Sequence, residues 1–193
     1  MNILHRFNMK HEIIKSIVIL VLASLCSCAK STDDSAQSKY VFLTRSTFSG
    51  NLGGLTGADQ KCQAEATSAS LSGTYKALIS TSSVSAVDRL QKVDYYLLNG
   101  VKAITGGSLP LTSNITVFAN KGVFNSATDE DDVWTGSNSI GRASGVNCLD
   151  WTSSSVGNLG TRGDVDDDLS SGVSLDKSTQ TCDLLRVLYC FSE

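Results

Sequence analysis

The chain has 193 residues, a formal net charge of −3, 41% hydrophobic and 18% charged residues, a balance that suits one globular domain of ordinary core size and crowds out two. Its acidic sign argues against a nucleic-acid partner, which needs a basic surface.

Residues 1–27 read as an export signal. His5, Arg6, Lys10 and Lys15 precede the apolar run Ile17-Val18-Ile19-Leu20-Val21-Leu22-Ala23, too short to span a bilayer as a permanent helix. Leu25-Cys26-Ser27-Cys28 resembles a bacterial lipobox, which makes Cys28 the lipidated first residue of the mature chain and the lipid its tie to the membrane. Met9 opens a second, more conventional signal, and either start gives the same mature protein. Cleavage removes three positive charges (Arg6, Lys10, Lys15) and one negative (Glu12), taking the net charge from −3 to −5. It also removes both histidines, His5 and His11. Ser-His-Asp catalysis, Cys-His catalysis and His-based zinc sites are thereby excluded from the mature chain. Residues 28–39 are polar with no apolar period and read as a flexible tether or plain tail. Residues 40–193 read as the folded domain.

Tyr40-Val41-Phe42-Leu43-Thr44 predicts a first strand, ended by the turn-rich Ser49-Gly50-Asn51-Leu52-Gly53-Gly54. Thr56 followed by Asp59 reads as a helix N-cap pattern, and Ala58, Cys62, Ala66 and Ala69 recur at helical spacing up to a stop at Gly73. Tyr75–Ser80 predicts the next strand, and Ser85 followed by Asp88 a short second helix. Tyr95-Tyr96-Leu97-Leu98 and Val101-Lys102-Ala103-Ile104 flank an Asn99-Gly100 turn, and Ile115–Phe118 is a further strand candidate. Beyond the acidic run Asp129–Asp132 come Val133-Trp134-Thr135-Gly136 and Cys148-Leu149-Asp150-Trp151. Cys182–Cys190 reads as one strand-like segment. Trp134 and Trp151, beside disulfide cysteines, are expected in the core.

Cys62, Cys148, Cys182 and Cys190 remain in the exported domain. Four cysteines in an oxidising compartment imply structural bridges, and arithmetic leaves three pairings open. Their spacing matches no CxxC redox or zinc motif.

Several motifs, in order, resemble the endostatin-like domains. Asn51–Cys62 resembles a glycine-rich stretch closed by G-A-D-x-x-C. Leu71–Ser80 is similar to L-x-G-T-[FY]-[KR]-A-x-[LI]-S. Val133–Ser137 with Gly141-Arg142 resembles V-W-x-G-S-x-x-x-G-R, Cys148 to Trp151 matches C-x-x-W, and Cys182 with Cys190 matches a final C-x7-C. The likeness runs from about residue 40 to 192. It is nearest to bacterial lipoprotein domains of unknown function of the DUF1554 type, which include leptospiral endostatin-like surface proteins. The resemblance implies an α+β, C-type-lectin-like fold of two helices with twisted antiparallel sheets, and nested bridges Cys62–Cys190 and Cys148–Cys182. Vertebrate endostatin's heparin and zinc binding do not carry over, because Arg45, Arg89, Arg142, Arg162 and Arg186 are scattered and the histidines are missing.

No catalytic residue and no metal ligand is assigned. Pro110, the only proline, lacks the E-P-N or Q-P-D setting of calcium-dependent sugar binding. Asp164, Asp166 and Asp168 alternate as in a calcium loop, but Leu169 stands where an EF-hand needs glycine and Leu175 where it needs glutamate. Calcium by another arrangement is the one cofactor alternative; a solvated acidic loop is favoured. No hydrolase motif accompanies the many serines. The expected activity is therefore binding: a surface-exposed lipoprotein of the bacterial outer membrane whose partners are host matrix proteins such as laminin and fibronectin, and complement regulators. Asp164, Asp166, Asp167 and Asp168 are the expected contacts. The alternative is an envelope structural or glycan-binding module without a host partner.

Overall fold

The computed structural model describes residues 38–122, 125, 129–166 and 175–193. The signal, Cys28, the tether up to Gln37, and Asp167 and Asp168 lie outside the described residues. Among the described residues, no helix is long and apolar enough to cross a membrane.

The architecture is α+β with two sheets and two bridges. In chain order the strands are β1 (Lys39–Leu43), β2 (Tyr75–Ala77), β3 (Tyr95–Leu97), β4 (Lys102–Ile104), β5 (Asp132–Trp134), β6 (Leu159–Asp164), β7 (Ser178–Thr181) and β8 (Tyr189–Ser192). The larger sheet has the order β2-β8-β1-β3-β4 and the smaller β5-β6-β7. The expectation of purely antiparallel sheets is corrected here: β1 and β3 run parallel, with Lys39 opposite Tyr95 and Val41 opposite Leu97. More than fifty residues separate the two strands, enough for the helix and β2 to form the crossover that a parallel pair requires. The Asn99-Gly100 hairpin forms as expected, Gly100 taking φ 90° between antiparallel β3 and β4. Cys182–Cys190 is not one strand. Cys182 lies in the turn after β7, whereas Cys190 lies in β8.

Helix α1 (Gly54–Ser68) buries Ala58, Cys62 and Ala66, the stripe that the spacing predicts. Its start differs from the capping pattern. Gly53, in the left-handed region, occupies the N-cap position, and Thr56 lies inside the helix. Asp59 is thereby free to serve elsewhere: it accepts the Ala77 amide at 2.9 Å, and Gln63 accepts the Tyr75 amide at 2.9 Å. Four helical residues rise about 6 Å and two strand residues about 6.6 Å, so the Asp59/Gln63 pair matches the outer edge of β2. The helix stops at Ser68, before Gly73, and Ser70 (φ 57°) turns the chain out of it. Leu71 N–H bonds Ala66 O at 2.9 Å and Ser70 N–H bonds Thr67 O at 3.0 Å, the two bonds of a Schellman stop with serine in glycine's place. The short helix expected after Ser85 is one 3-10 turn, Ala86–Arg89.

The core lies on both sides of the larger sheet. One cluster gathers Val41, Leu43, Tyr95, Leu97, Ile104 and Phe118; the other gathers Phe42, Ala58, Cys62, Ile79, Trp134 and Trp151. This is the alternation of β1, odd residues to one face and Phe42 to the other. Both tryptophans are wholly buried, and their indole N–H groups reach Phe48 O (2.9 Å) and Ser80 O (2.7 Å).

Candidate functional site

The bridges join Cys62 to Cys190, fixing α1 to β8, and Cys148 to Cys182, tying the turn after β7 to a second helical element. That element, α2 (Cys148–Trp151), has φ of 53°, 54°, 53° and 64°. It is one left-handed turn, closed by Trp151 N–H to Asn147 O (2.8 Å) and Thr152 N–H to Cys148 O (3.1 Å). Left-handed backbone costs an L-residue roughly 1–2 kcal/mol, and none of the four is glycine. The surroundings hold the turn in place. Asp150 accepts from Ser82 N–H at 2.6 Å and Ser82 Oγ at 2.7 Å, while Asn147 exchanges two further bonds with it. The Ser82 backbone and hydroxyl bonds keep the Asp150 carboxyl below the usual carboxylate range. Gly50 and Gly160 make room for the bridge: a Cβ on either would stand 2.3 or 2.7 Å from Cys148 Sγ. The turn leaves Leu149 64% exposed.

Of the acidic residues that the sequence singled out, Glu130, Asp131, Asp132, Asp164 and Asp166 converge at one end of the smaller sheet. Asp132 on β5 is opposite Asp164 on β6. Carboxylate oxygens of Asp131, Asp164 and Asp166 lie within 4.8 Å of one another, as do those of Glu130, Asp131 and Asp132. Three cations, distant from these acids in the chain, interleave with them. Lys177 and Arg162 reach Asp164, Arg162 pairs with Asp132, and Arg186 meets Glu130 at 3.1 Å and Asp132 at 3.0 Å. Their positions in the chain gave no hint, because the β5-β6-β7 pairing brings Arg162 and Lys177 to the acids and the bridge between Val133 and Val187 brings Arg186.

Within this network the carboxylates differ. Asp164 is 1% exposed. Burial pushes its carboxyl up, but the bond from Lys177 and those involving Asp166 outweigh it and hold the group below its ordinary range. Asp164 is thus a structural acid. Asp166 is exposed and titrates high, first through the hydrogen bond it shares with Asp164 and then through burial and the Asp164 charge. Burial also raises Glu130 against the pull of Arg186. Asp131 and Asp166 are the described acids of the cluster that face solvent. As a calcium site the donor set fits poorly. Calcium takes six to eight oxygens, and the best-buried carboxylate here is already occupied by an ammonium and approached by a guanidinium.

All five arginines of the domain are ion-paired: Arg45 with Asp129, Arg89 with Asp59, Arg142 with Asp88, and Arg162 and Arg186 within the cluster. They form no polyanion-binding patch. A separate groove of about 550 Å³ runs between α1 and the loops at 45–48 and 118–120. In it the Arg45 guanidinium lies 3.9 Å from the Phe118 ring centre and Lys61 Nζ 4.9 Å from that of Phe48.

The class of protein these features define is an α+β domain with a bridged scaffold and a charged end. The chain belongs to the DUF1554 family of proteins of unknown function, whose model matches residues 45–167, well over half of its length. No curated protein matches the chain.

Proposed function

We propose that this protein is a lipid-anchored, surface-exposed binding module of the bacterial outer membrane, without catalytic activity or cofactor. Its endostatin-like, C-type-lectin-like domain takes host matrix proteins such as laminin and fibronectin, and complement regulators, as partners. The observation that carries the reading is the charged end of the smaller sheet. Five carboxylates (Glu130, Asp131, Asp132, Asp164 and Asp166) meet three cations there, leaving an acidic surplus on Asp131 and Asp166 at the surface. Acidic surplus on a rigid scaffold attracts basic protein surface and sets the rate of encounter. Asp164 supports the site from beneath. Asp167 and Asp168 extend the same acidic run in the sequence.

The lipobox ending at Cys28 supports the membrane tie, and the absence of histidine after His11 supports a non-enzymatic role. The test is direct binding of the purified protein to laminin, fibronectin and a complement regulator, with Asp131→Asn/Asp166→Asn alongside. Saturable binding that weakens in the variant and in raised salt is the expected result. Unchanged binding by the variant would move the contact elsewhere. No binding by folded protein would favour the envelope-module alternative.

A further inference from the structure

The folded domain begins at one end of the larger sheet, and strand register sets what gathers there. β1 starts at Lys39, opposite Tyr95 of parallel β3. β8, antiparallel to β1 and β2, finishes beside it, with Glu193 N–H on Thr74 O at 2.8 Å. β4 reaches the same end, with Ile104 opposite Tyr95, and Asp94 accepts the Gly106 amide at 2.8 Å. Four of the seven lysines in residues 38–193 therefore lie at this entry end: Lys39, Lys76, Lys92 and Lys102. Lys39 donates to the Glu193 main-chain oxygen, Lys76 pairs with the Glu193 carboxylate and Lys102 with Asp94. Lys92 is exposed and, among the described residues, unpaired. By side chains the entry end carries four cations against two carboxylates, whereas residues 38–193 carry twelve against sixteen. The end is thus +2 on a domain of −4.

Tyrosine accompanies the lysines. Tyr40 is opposite Tyr96 on one face of the sheet. Both are half-buried, and neither hydroxyl has a hydrogen-bond partner among the described residues. Lys102 Nζ lies 5.9 Å from the Tyr96 ring centre. Amphipathic rings with unspent hydroxyls beside lysines suit the headgroup layer of a bilayer, where ring and hydroxyl meet different surroundings.

The path of the chain selects the surface that meets this end. Cys28 is eleven residues before Lys39, so a lipid there keeps the entry end within about 40 Å of the bilayer. That bound is tightest for this end of the domain, and tethering turns weak attraction into intramolecular contact. Each lysine near an anionic bilayer favours contact about five-fold. We propose that the entry end of the larger sheet, with Lys39, Lys76, Lys92, Lys102, Tyr40 and Tyr96, docks on the anionic headgroups of the membrane that holds the chain. This rests on the lipid anchor at Cys28. β8 runs from Tyr189, whose hydroxyl donates to Asp164 O at 3.2 Å, to Ser192 at the entry end. Docking therefore turns the acidic end away from the headgroups, where like charge would repel it.

The experiment places the lipidated chain in vesicles of phosphatidylcholine, alone or mixed with phosphatidylglycerol, that carry a nitroxide headgroup quencher. Trp134 and Trp151 are wholly buried, so an added tryptophan reports its own position: Tyr96→Trp at the entry end, Leu185→Trp ahead of β8. In phosphatidylglycerol vesicles Tyr96→Trp should be quenched more than Leu185→Trp. High salt or phosphatidylcholine alone should remove the excess. Lys92→Glu, which breaks no contact among the described residues, should lower the ratio of docked to free domain about five-fold or more with thermal unfolding unchanged. Equal quenching at the two positions, or an excess that Lys92→Glu leaves intact, overturns the proposal. Flotation reports the anchor separately, and a chain that carries no lipid refutes the anchor alone. Cosedimentation of that chain at low salt then tests the surface: no preference for phosphatidylglycerol vesicles, or a preference that survives Lys92→Glu, overturns the proposal.

Discussion

Replacing Asp59 by alanine removes one carboxylate that performs two tasks. It accepts the Ala77 amide at the edge of β2 and holds the Arg89 guanidinium through two contacts of 2.7 Å. The Arg89 side chain is 8% exposed and that of Asp59 23%, and Arg89 also donates to the Ala77 carbonyl. Orphaning one member of a fully buried ion pair costs about 3–5 kcal/mol. Partial exposure of Asp59 brings this down to about 2–3 kcal/mol, and the unsatisfied Ala77 amide adds about 1 kcal/mol. The sum, about 3–4 kcal/mol, is a large share of a typical domain stability of about 5–15 kcal/mol. It corresponds to roughly 10 °C in Tm for a domain of this size. Urea unfolding with both bridges intact measures it, and hydrogen exchange at Tyr75 and Ala77 locates it. Asp59→Ala/Arg89→Met should lose less than Asp59→Ala alone, since no buried charge is then stranded. Gln63→Ala, which frees the Tyr75 amide and gives up the exposed bonds from Gln63 Nε2 to Gly73 O and Thr67 Oγ1, should cost about 1 kcal/mol. A loss below about 1 kcal/mol for Asp59→Ala, with Ala77 protection unchanged, would refute the argument that α1 closes this edge.

Three further outcomes follow from the same geometry. The bridges close sequence separations of 128 and 34 residues, so in the chain-entropy model removing Cys62–Cys190 costs about 5 kcal/mol and removing Cys148–Cys182 about 4 kcal/mol, measurable as urea midpoints of paired Cys→Ala variants. Leu149 is exposed and held at φ 54°, so Leu149→Gly should be neutral or stabilise by up to about 1 kcal/mol, whereas β-branched Leu149→Val should destabilise; thermal unfolding that reversed this order would contradict the left-handed turn. Asp164 has a depressed folded pKa, so its contribution is present above the unfolded carboxylate value of about 3.9 and is lost as pH falls through the folded one. Asp166 is raised, and its opposing contribution fades as pH climbs from the unfolded value through the folded one. Lys177→Met should therefore destabilise the protein at neutral pH and flatten the acid limb of the stability curve. A curve with an unchanged acid limb would dissociate Lys177 from Asp164.

The parts of the fold that could be read from the sequence are those with local causes. Alternation at Val41, Phe42 and Leu43 marks a strand buried on both faces, and Ala58, Cys62 and Ala66 at helical spacing mark the packed side of α1. Asn99-Gly100 has the turn chemistry of its hairpin. What escaped has causes far along the chain. Asp59 has the spacing of a cap residue, and its use at the β2 edge depends on Arg89 and Ala77. The parallel pairing of β1 and β3 follows from the path of α1 and β2 between them. Of Cys148–Trp151 Asp150 alone is of a type that tolerates left-handed backbone, so the bridge and the bonds with Asn147, Ser82, Ser80 and Leu52 hold the turn. At the candidate site the acidic runs were visible as composition. Arg162, Lys177 and Arg186 become part of it only through strand pairing, which is why Asp164 reads as a contact in sequence and is a buried structural acid in the fold.

Salt-titrated binding of the purified, bridge-intact protein to immobilised laminin, fibronectin and a complement regulator tests whether this domain binds protein partners through its charged end. Saturable binding to at least one of them is expected, weakened by Asp131→Asn/Asp166→Asn and abolished when both bridges are reduced. Folded protein that binds none of the three, or binds equally well with both surface carboxylates neutralised, would contradict it.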